Sequence, residues 1–213
     1  MTPTADPTFW NEKAESYAAK PVSDPDAFDR KTSITRALIE PGHAVLDIGC
    51  GTGSFCLRLA PTGADVHGLD LSEEMVRIAR DKARDAAVDN VTFHVGPFDE
   101  TFTAFGPKSL DGIFAYSLLH LVPDRVAALD QIFRLLKPGG YFVASTVCLG
   151  ETWVPYTPML KVMRWLGKAP YVESRLSKAQ LHSDVEAAGF VGLETPDVGA
   201  EAIVDFLVAR KPH

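Results

Sequence analysis

Apolar residues in this chain come in short, nearly continuous runs, separated by stretches where they recur every three or four positions. Val45 to Ile48, Val66 to Leu69, Val91 to Val95, Ile113 to Tyr116 and Tyr141 to Val147 are runs of the first kind, the pattern of strands buried on both faces of a parallel sheet. Between them, Ser72 to Ala87 puts Met75, Ile78, Ala79, Ala83 and Ala86 on one helical face, with Glu73 and Glu74 at its positive N-terminal end. A second helix is predicted from an Asp124 cap through Val126, Leu129, Phe133 and Leu136, with Lys137 in the last turn before Pro138-Gly139-Gly140 stops it. A third opens on Ser177-Lys178-Ala179-Gln180, the pattern of a capping box, and closes at Gly189. Two more strand patterns follow, Phe190 to Glu194 and Ala202 to Ala209, and two helical ones, Thr8 to Lys20 and Pro25 to Ile39, precede the core.

This alternation implies a doubly wound α/β domain, a parallel sheet with right-handed crossovers and helices on both faces. Ligands bind such sheets beyond the carboxyl ends of the strands at the switch point, so the residues just after strands matter most.

Composition adds exclusions. With 28 acidic and 21 basic residues among 213, the net charge of −7 argues against nucleic acid or an anionic membrane as the main partner. The 46% apolar and 23% charged content is that of an ordinary globular protein of one domain with a modest accessory segment. The longest nearly apolar stretch, Ile113 to Val122, falls short of the ~20 residues of a membrane span. The opening MTPTADP has no features of a secretory signal, so a cytoplasmic location is expected. Cys50, Cys56 and Cys148 are expected to be reduced thiols, and the scattered His43, His67, His94, His182 and His213 give no metal-ligand cluster, so no metal is expected.

The candidate chemistry lies at strand ends. Val45-Leu46-Asp47-Ile48-Gly49-Cys50-Gly51-Thr52-Gly53 feeds a strand into a glycine turn, and Ser54 can start a helix. Glycine lets a ligand approach the backbone, and the free N–H groups of a following helix attract negative charge. Asp70 ends the next strand 19 residues after Gly51, near the ~20-residue offset at which an acid takes ribose hydroxyls. A tight turn alone, or a helix-flanking Asp alone, explains either feature; their combination in strand-turn-helix-strand order points to a nucleoside cofactor. The spacing is G-x-G-x-G, with Ser54 where the dinucleotide fingerprint has its third glycine, which weighs against a nicotinamide dehydrogenase.

VLDIGCGTG, GLDLSEEM, LDGIFAYSLLHLV and LLKPGGYF resemble, in order and spacing, the successive motifs of class I S-adenosylmethionine-dependent methyltransferases, and the likeness runs from Phe9 to Lys211. It is greatest to small bacterial members with an N-terminal FW…Y segment and a late segment similar to TVCLGE…LGKAPYV. The resemblance implies a Rossmann-like, mostly parallel seven-stranded sheet with an antiparallel last strand and an N-terminal helical lid. It divides the chain into that lid (1–40), a cofactor-binding core (41–148), an apolar lid insertion (149–175) and the rest of the sheet (176–213). It implies S-adenosylmethionine as cofactor, S-adenosylhomocysteine as product and a small, partly apolar methyl acceptor. The Gly49-Cys50-Gly51 backbone would lie against the methionine part, Asp47 would orient its amino group, and Asp70 would bind the ribose. Leu71 and Met75 would cover the adenine, with Gly96-Pro97-Phe98 as its other wall, and Ser117 would pass the sulfonium. Many relatives carry an Asp where Pro97 sits; the Phe98 N–H or Asp99 is the expected substitute.

His120, just past the fourth strand, is the candidate general base, with a histidine satisfied by a backbone carbonyl as the alternative. Tyr17 is either a contact to the cofactor carboxylate or part of an aromatic set that docks a terminal helix. In 149–175, Pro158 suits a first helical position, and Met159, Met163 and Leu166 share a face that needs a surface to cover. Packing on the sheet edge, a substrate lid and a homodimer contact are its open roles, the lid being preferred. A cofactor-binding protein without catalysis is the alternative to a methyltransferase.

Overall fold

The computed structural model describes residues 7–213; the first six residues of the opening segment read for a secretory signal lie outside them. Two helices, α1 (Thr8–Ala18) and α2 (Pro25–Arg36), precede β1 (Ala44–Ile48), α3 (Ser54–Leu59), β2 (Asp65–Asp70), α4 (Glu73–Asp85) and β3 (Val91–Val95). Then come β4 (Leu110–Tyr116), α5 (Arg125–Leu135), β5 (Leu136–Val147), α6 (Tyr156–Trp165), α7 (Lys178–Ala187), β6 (Val191–Glu194) and β7 (Val204–Arg210). The strands form one sheet in the order β3-β2-β1-β4-β5-β7-β6, in which β7 runs antiparallel to both neighbours and the other pairings are parallel.

Side-chain alternation along the strands makes two cores. Leu46, Ile48, Ile113 and Phe142 point to the side of α5 and α7, whereas Val45, Val66, Phe114 and Val143 meet α3 and α4 on the other. Each such fully buried side chain contributes about 1.5–3 kcal/mol. Helix starts are fixed by side-chain caps: Asp24 accepts from the Ala27 N–H at 3.0 Å, Ser72 from Met75 at 3.1 Å and Asp124 from Ala127 at 3.0 Å.

Several expectations need correction. The α5 helix ends at Leu135, and Leu136 and Lys137 already belong to β5, because Leu136 pairs with Leu110 and Lys137 turns to the Asp111 carboxylate at 2.8 Å. The Lys211 ammonium takes the Phe133 and Leu136 carbonyls at 2.6 and 2.9 Å, so the helix is closed by a distant residue rather than by its own last turn. Only half of the capping box forms: Ser177 accepts from the Gln180 N–H at 3.1 Å, while the Gln180 amide donates onward to Asp184 at 2.7 Å. On α4, Val76 is buried and Ala86 is exposed, since the helix ends at Asp85. Among the described residues no helix is long and apolar enough to cross a membrane.

Candidate functional site

The strand order reverses between β1 and β4, so the loops after β1 and β4 diverge there and open a crevice. The turn after β1 is tied to β2: the Gly49 and Cys50 N–H groups both donate to the Leu69 carbonyl, at 2.7 and 3.0 Å. Asp70 completes the join, accepting from the Gly51 N–H at 2.8 Å and the Ser72 N–H at 2.9 Å. Burial raises its pKa, opposed by those two donors. Each oxygen keeps a further lone pair for an outside donor.

The three glycines of the turn have positive φ and different surroundings. A Cβ on Gly49 would strike the Leu118 side chain at 2.8 Å, and one on Gly53 would strike Ala79 and Phe93, each at 2.8 Å. Both therefore serve close packing. A Cβ on Gly51 would meet only Tyr17, at 3.8 Å, so this glycine faces the opening. Tyr17 is 52% exposed. Its pKa is nevertheless raised, by partial burial first and then by the Asp70 and Asp47 carboxylates.

Asp47 lies fully within β1. One oxygen takes a weak bond from the Cys56 thiol at 3.5 Å; the other has no partner. Burial pushes its pKa up to about 8, with the Cys56 bond lowering it and Asp70 adding repulsion. Cys50 is buried beside Cys56.

Leu71 is half-buried between Asp70 and Ser72. Met75 is 2% exposed and packs with Ala14 and Ile78, against which Trp10 also rests, in the α1–α4 contact. Asn11 adds to that contact, accepting from the Ser72 hydroxyl at 2.6 Å. Thus α1 is docked by Trp10 and Asn11, while its last turn brings Tyr17 beside the glycine turn, 3.8 Å from where a Cβ on Gly51 would stand. Gly96, bonded to the Asp70 carbonyl at 3.0 Å, leads into Pro97 and Phe98. Asp99 accepts from the Thr101 N–H and hydroxyl at 2.9 and 2.6 Å through one of its two oxygens.

Ser117, at φ +55°, follows β4, with its N–H on the Ser145 carbonyl at 2.7 Å. Such a left-handed non-glycine residue is costly and tends to occur at functional sites. His120 is buried in the short turn Leu119–Leu121, its Nδ1 has no hydrogen-bond partner, and burial lowers its pKa to about 4. The backbone carbonyl of His120 accepts from the Glu173 N–H at 2.7 Å, which ties residues 170–175 to this loop. Between that segment and α6 lies a groove of about 390 Å³, lined among others by Thr157, Leu160, Arg164 and Tyr171. On the α6 face expected to cover a surface, Met159 and Leu166 are 48% and 51% exposed and Met163 is half-buried, while the opposite face meets residues 170–175. The helix starts at Tyr156, two residues before Pro158. Sequence reasoning missed Asn11 and also Lys82, which donates to the Thr52 hydroxyl at 2.8 Å and the Ser54 hydroxyl at 3.3 Å and so braces the start of α3.

The strand order with one reversed strand, and a glycine turn joined to an acid at the switch point, define a doubly wound α/β domain with a ligand site at its carboxyl edge. The chain belongs to the class I S-adenosylmethionine-dependent methyltransferase family: residues 39–189 match the family described as a methyltransferase domain. It is 32% identical over 195 residues to a demethylmenaquinone methyltransferase of Lactococcus lactis subsp. lactis, covering 79% of this chain and 74% of the relative. It is 36% identical over 107 residues to a ubiquinone biosynthesis O-methyltransferase of Xanthomonas campestris pv. campestris, covering 50% of this chain and 44% of the relative. Its fold matches that of Haemonchus contortus phosphoethanolamine N-methyltransferase 2, solved with phosphomonomethylethanolamine and S-adenosylhomocysteine, at TM-score 0.73 and 20% identity over 87% of this chain and 53% of that one. The chain spans about half the length of the first curated relatives it matches.

Proposed function

We propose that this chain binds S-adenosylmethionine and transfers its methyl group to an O, N or C atom of a small, partly apolar molecule. The observation that carries the reading is the convergence on one turn of an outward-facing glycine, Gly51, a carboxylate with spare lone pairs, Asp70, and a buried, unpartnered carboxylate oxygen on Asp47. This donor set fits the cofactor: Asp70 would take the ribose hydroxyls, Asp47 the ammonium, and the Gly49-Cys50-Gly51 backbone the methionine chain. Leu71, Pro97 and Phe98 would enclose the adenine, with the Phe98 N–H meeting its polar edge, and Tyr17 would close over the carboxylate end. Met75 would hold α1 on α4 behind Leu71.

The bound cofactor supplies a methyl group already activated by the sulfonium, so alignment of the acceptor can provide about 7–11 kcal/mol of the rate enhancement. The chain's task is therefore positioning. Ser117, fixed in its left-handed conformation, shapes the passage beside the glycine turn, and His120, neutral above about pH 4, can accept a proton from the acceptor. The groove between α6 and residues 170–175 would admit the acceptor. Family membership and the quinone-pathway names of two relatives make hydroxylated aromatic rings with an apolar tail the first acceptors to assay.

Titration calorimetry of the purified chain with S-adenosylmethionine and S-adenosylhomocysteine tests the cofactor half, and saturable heat with both is expected. Incubation with methyl-labelled cofactor and a metabolite extract tests transfer: labelled product is expected, and binding without product would favour a non-catalytic cofactor-binding protein.

A further inference from the structure

The groove between α6 and residues 170–175 carries a charge opposite to that of the chain. Lys161 and Arg164 line it from α6 and Arg175 from the facing wall, against a single carboxylate, Glu173, in a protein of net charge −7. Three cations against one carboxylate leave the lining with two surplus positive charges. None of the three cations is in an ion pair among the described residues. The Arg164 guanidinium lies over the Tyr171 ring, 5.4 Å from its centroid. Glu173 is engaged by neutral donors, its two oxygens accepting from the Tyr171 hydroxyl at 3.1 Å and the Arg175 backbone N–H at 3.2 Å. The rest of the lining is of two kinds. Leu160, Pro170 and Val172 give an apolar side, while the Thr157 and Ser174 hydroxyls, 2.8 Å apart, join the two walls and keep hydrogen-bonding capacity to spare. The volume of about 390 Å³ lies within the roughly 300–1,000 Å³ of small-molecule sites. The Glu173 N–H donates to the His120 carbonyl at 2.7 Å, so the groove adjoins the loop after β4.

We propose that the methyl acceptor is an anion: a small molecule with an apolar or aromatic body whose carboxylate or phosphate is held in this groove by Lys161, Arg164 and Arg175. That the ligand accepts a methyl group rests on the methyl-transfer reading; that it is an anion rests on the groove alone. A guanidinium fork matches the paired oxygens of either acid group, and surplus positive charge in a concave site draws anions from solution. A neutral ligand gains nothing from these charges, and a cationic one is repelled. The negative charge of the whole chain does not oppose this, because charges beyond about 8 Å are screened at physiological salt. Among hydroxylated aromatic rings, the groove thus selects those that also carry an acid group.

Ligand-observed NMR titration of the full chain with phenyl phosphate, benzoate and phenol separates charge from ring. Both anions are expected to saturate the protein and phenol is not, and about 1 M salt, where the screening length is about 3 Å, should abolish the difference. The tighter of the two anions names the acid group as phosphate or carboxylate. Lys161→Gln with Arg164→Gln, both on exposed sites and checked by an unchanged melting temperature, should weaken anion binding about tenfold, at roughly threefold per solvent-facing charge. Arg84→Gln, which removes an exposed cation of α4, should leave it unchanged. Equal binding of phenol and the anions, no saturation by either anion, or binding indifferent to the double substitution overturns the proposal. Calorimetry with S-adenosylhomocysteine on the same protein keeps the two readings apart. Cofactor heat without anion binding overturns the anionic acceptor alone, whereas anion binding without cofactor heat overturns methyl transfer and leaves the anion site standing.

Discussion

The Asp70 carboxylate lies 2.8 Å from the Gly51 amide nitrogen, so the end of β2 holds the turn that follows β1. Its second oxygen holds the Ser72 N–H, at the cap of α4. One side chain thus organises two loops and keeps lone pairs for a ligand. Asp70→Ala should leave both N–H groups without their acceptor, at a cost of about 1–3 kcal/mol each if water does not replace it. In urea melts the variant is expected to be less stable but folded, and in titrations with S-adenosylhomocysteine to give no saturable heat. Retention of wild-type affinity would remove Asp70 from the cofactor site.

Gly51 and Gly53 share positive φ and differ in what surrounds them, which separates binding from folding. Gly51→Ala carries the left-handed penalty of roughly 1–2 kcal/mol and otherwise has room, so it should fold and lose cofactor affinity as the added methyl occupies the approach. Gly53→Ala adds overpacking against Ala79 and Phe93, typically a further 1–3 kcal/mol, and should show the larger fall in melting temperature. Equal losses of stability in the two variants would contradict this division.

The glycine turn and the acid that follows it were legible from residue order alone; the different surroundings of Gly51 and Gly53 were not. Buried parallel strands such as β1 and β4 have no polar face to interrupt their apolar runs, whereas β3, expected to be buried likewise, is the sheet's edge strand and buries only Phe93; glycine spacing with an acid at a fixed offset reports a turn whose geometry is local. What could not be read depends on partners far along the chain. Leu136 leaves its helix because Leu110 pairs with it and Lys211, 75 residues on, takes its carbonyl. Asn11 meets Ser72 across 61 residues. The exposure of Met159 and Leu166 on α6 was not legible, because amphipathicity states that a face is apolar and is silent on what covers it. Desolvation of His120 and Asp47 is likewise a property of the assembled sheet.

Asp47 couples the free protein to pH. Its folded pKa of about 8 exceeds the 3.8 of the unfolded group, so between these values the folded state keeps a proton that the unfolded state has lost. Stability contributed by this group therefore falls as pH rises across that window. Asp47→Asn should flatten the decline and raise the melting temperature at pH 8 above that of the wild type. Binding the cofactor ammonium favours the ionised carboxylate, so affinity should rise toward pH 8 with release of a proton. Calorimetry in buffers of different ionisation enthalpy reads that proton; identical heats in all buffers would show that Asp47 does not ionise on binding.

His120 acts on stability with the opposite sign over a narrower range. Burial takes its pKa from 6.5 to about 4, so on acidification the unfolded chain gains a proton in that interval while the folded chain does not. Its contribution is complete above pH 6.5 and is lost as pH falls toward 4, at up to about 1.4 kcal/mol per pH unit. His120→Gln should reduce that acid limb in urea melts taken from pH 4 to 7, leaving the part contributed with the same sign by His94, whose pKa burial also lowers. If the imidazole also takes the acceptor's proton, the same variant should lower kcat by about 10² to 10⁴ with little change in cofactor affinity. A variant that regains acid stability and keeps full turnover would assign His120 to the architecture of the loop after β4, where its carbonyl already holds Glu173 at 2.7 Å.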